Sequence, residues 1–117
     1  MIDQILNDLL SSVDGARAAI FLDGDGESIA LAGETSVDMR LAGAWKELEL
    51  DRLKNVTGKL GLGGIRAVLF SKDDGNELMI PVGEEYCLLL FLSAFANLQD
   101  ALAKLKDAMK LLEKDIQ

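Results

Sequence analysis

The chain has 117 residues, half of them apolar, which is enough for one domain that removes roughly two-thirds of its unfolded surface from water. A net charge of −8 argues against nucleic acid or an anionic membrane as the main partner, since both call for clustered Lys and Arg, and it favours a basic partner surface. One cysteine makes no internal disulfide, and the lack of histidine removes the commonest general base and the commonest metal ligand.

The N-terminus, Met1-Ile2-Asp3-Gln4, has no basic segment before an apolar core, so it does not read as a signal peptide. The longest apolar run, Tyr86 to Ala96 with Ser93 inside it, falls short of the ~20 residues a spanning helix needs. The expectation is a soluble, cytoplasmic, single domain over residues 1–117.

Ile2, Ile5, Leu6, Leu9, Leu10 and Val13 recur at helical spacing and are followed by the stop signal Asp14-Gly15, which predicts a first amphipathic helix. Residues Arg17–Leu22 and Ser28–Ala32 read as strands, with Asp23-Gly24-Asp25-Gly26 supplying a tight hairpin between them. Thr35, with Asp38 three residues on, resembles a capping box for a long second helix reaching about Lys59. That helix has two apolar stripes: Val37, Leu41, Ala44, Trp45 and Leu48 on one, and Leu53, Val56 and Leu60 on another, with Leu50 on neither. A helix lying on one sheet needs a single stripe, so part of this one is expected to pack outside its own domain.

Three strands are predicted after the Gly58 to Gly64 loop: Ile65–Ser71, Glu77–Val82 and Tyr86–Leu92. Turns at Lys72-Asp73-Asp74-Gly75-Asn76 and Gly83-Glu84-Glu85 make them a meander, and Pro81, lacking an amide donor, is expected at a strand end or an unpaired position. Tyr86–Leu92 is apolar without alternation and must be covered on both faces. It belongs in the middle of an antiparallel sheet, with the first and last helices on one face and the second on the other. The last helix carries Leu98, Ala101, Leu102, Leu105, Met109, Leu112 and Ile116 on one face, and Asn97 caps it.

This α-β-β-α-β-β-β-α order resembles the Roadblock/dynein light chain family, which includes bacterial regulators of Ras-like gliding-motility GTPases. The resemblance rests on the Ala-rich first strand ending in Asp23-Gly24-Asp25-Gly26-Glu27, the strand pair Glu77–Val82 and Tyr86–Leu90, and the leucine-spaced terminal helix. It implies an α/β (α+β) fold of three layers, α/β/α, with a five-stranded antiparallel sheet of order 2-1-5-4-3. It also implies a homodimer formed through the second helix and third strand. These two elements carry surplus apolar surface here, so Trp45, Leu48, Leu50, Ile65, Ala67 and Leu69 become the candidate dimer interface, with Ile65, Ala67 and Leu69 on one face of the third strand.

Nothing in the chain reads as catalytic machinery, cofactor cradle or metal site. Cys87 falls on the central strand, where a buried thiol has a raised pKa and is inert. Asp23, Asp25, Glu27 and Glu34 have calcium-loop spacing, but Ser28 stands where such a loop requires glycine, so a hairpin is the better reading. The glycines of Gly58–Gly64 leave a helix and enter a strand, the reverse of a phosphate loop. Asp73, Asp74, Glu84 and Glu85 sit at turns and are the candidate partner-binding carboxylates. The function implied is a non-enzymatic dimeric regulator or docking platform for a small Ras-like GTPase. The alternatives are a structural adaptor or light-chain-like scaffold subunit, and a small-molecule sensor domain.

Overall fold

The structure, a computed structural model, describes residues 1–34 and 37–116. Its elements are α1 (Ile2–Ser12), β1 (Ala16–Leu22), β2 (Ser28–Gly33), α2 (Val37–Lys59), β3 (Val68–Lys72), β4 (Gly75–Val82), β5 (Tyr86–Leu92) and α3 (Leu98–Asp115). Thr35 lies outside the described residues, as do the side chains of Val37, Asp38 and Leu41.

The strands form one antiparallel sheet of order β2-β1-β5-β4-β3. β5 is its centre, with Leu89 paired to Ile20 on one side and to Met79 on the other. Successive residues of β5 point to opposite faces, and both faces are covered. Leu88, Leu90 and Leu92 join Leu6, Leu9, Ala101, Leu105 and Leu112 in a core beneath α1 and α3. Cys87, Leu89 and Phe91 join Ala18, Ile20, Met79 and Leu50 in a second core beneath α2. The missing alternation in the sequence is therefore the signature of two cores sharing one strand.

The caps follow local chemistry. Asn97 Oδ1 accepts the Asp100 amide at 3.0 Å and opens α3. In the β1–β2 turn Asp23 Oδ1 accepts the Asp25 and Glu27 amides at 2.9 and 3.0 Å, and Gly26 supplies the positive φ of 82°. Asp23 Oδ1 is thus engaged in holding the turn.

The third strand begins later than the sequence suggests. Residues 65–67 approach the sheet as coil, and pairing starts at Val68↔Met79. Continuing that register would set Arg66 opposite Pro81, which has no N–H to donate, so the ladder stops there. Pro81 remains paired toward β5, opposite Cys87, and is unpaired on its β3 side. Ile65 and Ala67 do not share a face: Ile65 packs against the core beneath α2 and Ala67 against the core beneath α1 and α3.

Candidate functional site

Helix α2 has two halves with different environments. Leu50, 2 % exposed, plugs the core beneath the helix among Ile20, Leu22, Met79 and Leu89. Its expected place at a dimer interface is corrected on this ground: its apolar surface is consumed within the protomer. Trp45 and Leu48 point away from the sheet and are 57 % and 50 % exposed. Beyond Leu50, no residue of α2 or of the following loop through Gly64 is buried. Leu53, Val56, Leu60 and Leu62 are all exposed along this stretch. The second apolar stripe read from the sequence is therefore left about half exposed or more by the described residues of its own domain.

The edge strand β3 adds exposed apolar surface on the other face of the sheet, since Leu69 pairs with Leu78 of the core beneath α1 and α3. Leu69 is exposed, and Val68 and Phe70 are half-buried against the α2-side core. A charged cluster, missed in the sequence, ties α2 to this edge. Glu77 lies on β4 opposite Phe70, with a side chain only 5 % exposed. Its Oε1 meets Lys72 Nζ at 3.0 Å, and its Oε2, which lacks a hydrogen bond, is approached by Lys46 Nζ of α2 at 3.6 Å. The Lys46 ammonium also lies over the Phe70 ring, 4.1 Å from its centroid. The hydrogen bond from Lys72 to Glu77, and then the carboxylate's charge, raise the Lys72 pKa above its ordinary 10.5. The available signal was Glu77 itself, a charge heading the apolar run Leu78–Val82.

The four turn carboxylates do not form one patch. Asp73 and Asp74 lie in the turn where β4 begins, and Glu84 and Glu85 in the turn where it ends, so the strand separates the pairs. Glu84 and Glu85 instead join Asp23 and Asp25 of the β1–β2 turn and Asp51 and Lys54 of α2 around a cleft of about 510 Å³. Leu50 and Cys87 are among the residues lining it. Among the described residues, no group of three or more His, Cys, Asp or Glu is arranged to hold a metal ion. No described helix is long and apolar enough to cross a membrane. Arg17, near the start of β1, pairs with Glu34 at 3.4 Å, while Arg66 lies in the coil before β3.

No family model matches the chain. Two uncharacterized proteins of Methanocaldococcus jannaschii are 28 % and 27 % identical to it over 90 residues; each match covers 77 % of this chain and, respectively, 75 % and 78 % of the relative. Among solved structures, a Roadblock/LC7 domain from Streptomyces avermitilis superposes with a TM-score of 0.90 at 16 % identity, covering 97 % of this chain and 96 % of that one. Myxococcus xanthus MglB gives 0.90 at 16 % identity over 98 % and 94 % of the two chains. An MglB described in a tetrameric arrangement gives 0.87 at 17 % identity over 97 % and 85 %. The order of elements, the sheet order and these superpositions agree, and the chain has the Roadblock/LC7 fold.

Proposed function

We propose that residues 1–117 form a single non-enzymatic docking domain that pairs two-fold with a second copy and presents the resulting platform to a small Ras-like GTPase in the cytoplasm. One observation carries the two-fold contact: Trp45, Leu48, Leu53 and Val56 of α2, with Leu60 and Leu62 just beyond its end, are large apolar side chains left exposed. At 23 residues α2 is about 35 Å long, enough to line an interface of ordinary size, about 1,600 Å² in total. Trp45, Leu48 and Leu69 are its proposed anchors, and the β3 edge extends it. Self-association is also supported by the tetrameric arrangement of the structurally similar MglB.

The GTPase comes from the Roadblock resemblance, and the acidic surface fits it as a steering feature. Glu84 and Glu85, with the cleft they border, and Asp73 and Asp74, at the far end of β4, are the proposed contacts for basic patches of the partner. The mechanism is docking. A rigid platform fixes the switch segments of the GTPase, and any faster hydrolysis comes from ordering the GTPase's own groups.

The test is a titration of the chain against a purified Ras-like GTPase from the same organism, loaded with GDP or a GTP analogue. The reading predicts saturable binding that differs between nucleotide states and no nucleotide binding by the chain alone. Binding to neither state, or nucleotide bound by this chain, would contradict it. In the first case the same apolar surface makes the scaffold-subunit reading the better one.

A further inference from the structure

Between β5 and α3 the chain turns through Ser93-Ala94-Phe95-Ala96, and the turn is held firmly. The Ser93 amide donates to the Gly15 carbonyl at 2.8 Å, the Ala96 amide donates to the Ser93 carbonyl at 3.2 Å, and the Asn97 cap follows at once. This fixed turn holds the Phe95 side chain out in solvent, 81 % exposed. Two acidic turns come close to it through their glycines. Asp14 precedes Gly15, whose backbone is so close that an added Cβ would lie 3.3 Å from Phe95 Cε2. Asp73 and Asp74 precede Gly75, where an added Cβ would lie 3.8 Å from Ser93 Cα. Among the described residues Asp14 and Asp73 pair with no cation, while Asp74 is 3.9 Å from Lys72. A preorganised phenyl ring with an acidic flank is a binding anchor that fits an apolar pocket with a cationic rim.

The same molecule has such a pocket. Where β3 stops short of Pro81, Ile65, Arg66, Ile80, Pro81, Lys106 and Met109 line a half-open pocket of about 340 Å³. A cavity of about 150 Å³ suffices for a benzene ring. Arg66 and Lys106 pair with no carboxylate among the described residues.

The geometry points to a head-to-tail contact in which the Phe95 turn of one copy seats in the Pro81 pocket of the next. The two surfaces lie at opposite ends of β4, on the order of 20 Å apart along the strand, so they cannot meet within one chain. When it is not exchanged reciprocally within one pair, such a head-to-tail contact is heterologous and leaves a free turn and a free pocket for further copies, giving a ring or a filament. It uses a surface separate from the exposed face of α2, although Ile65 was also a candidate for the two-fold contact. The net charge of −8 on each copy opposes association, but at physiological salt the Debye length of about 8 Å lets local complementarity decide.

Sedimentation equilibrium from micromolar to millimolar concentration tests this, starting from Leu48→Glu, which removes the proposed two-fold contact. The Leu48→Glu protein should still grow in mass with concentration. Adding Phe95→Ala, at a site too exposed to affect folding, should weaken that growth by about tenfold or more. Lys106→Glu should weaken it as well, and Asp73→Lys added to Lys106→Glu should restore part of the loss. A Leu48→Glu protein that stays monomeric, or associates equally well with Phe95→Ala, overturns the contact. If Leu48→Glu associates no less than wild type while Phe95→Ala abolishes association, the head-to-tail contact stands and the two-fold reading fails.

Discussion

Glu77 brings a charge into an almost fully buried position, and two lysines from different elements answer it. Removing cations from such a cluster leaves an uncompensated carboxylate, whereas replacing the whole cluster with apolar groups does not. Lys46→Met with Lys72→Met should therefore destabilise the protomer by about 3 kcal/mol, and adding Glu77→Leu should recover most of that loss in denaturant melts. Lys72 is half exposed, so its single variant should cost less, about 1 kcal/mol. Because its pKa is raised in the folded state, its contribution is fully present below the ordinary 10.5 and is lost as pH climbs through the raised value. The stability gap between wild type and Lys72→Met should thus hold from neutral pH to about pH 10 and close above it. A gap that stays open as pH climbs well past 10.5 would mean that the charge of Lys72 does not supply it.

Two elements decide how much of the molecule could be read from its sequence. β5 was legible because a strand shared by two cores leaves an unmistakable run, Tyr86 to Leu92. Its Leu88, Leu89 and Leu90 amides should be among the slowest to exchange with solvent, and fast exchange there would contradict a central placement. The start of β3 was not legible. Ile65 and Ala67 alternate like strand residues, and what ends the ladder is Pro81, which lies on another strand and opposes Arg66 only once the register is fixed. Leu50 was misplaced for a similar reason, since helical periodicity fixes angles between residues but not which angle faces the sheet. The carboxylate pairs lie in turns as the sequence suggests, yet their separation by β4 is a property of the sheet. The two halves of α2 should respond differently to truncation. Leu50→Ala should cost the protomer about 2 to 4 kcal/mol, while Leu53→Ala should change its stability by less than about 0.5 kcal/mol and act mainly on association.

At the scale of the whole molecule, the sheet is covered by α1 and α3 on one face and only in part by α2 on the other. The exposed apolar residues of α2, Leu69 on the β3 edge and the acidic cleft are the surfaces that the proposed association would use. A two-fold contact uses each residue twice, so one charge placed in it removes two sets of contacts. The most direct test is the mass of the wild-type chain by sedimentation at low micromolar concentration, with Leu48→Glu alongside. The account predicts a wild-type assembly of at least two copies and a variant shifted toward monomer with its melting midpoint largely preserved. A wild-type chain that is monomeric at that concentration, with Trp45 and Leu48 still open to solvent, would contradict it.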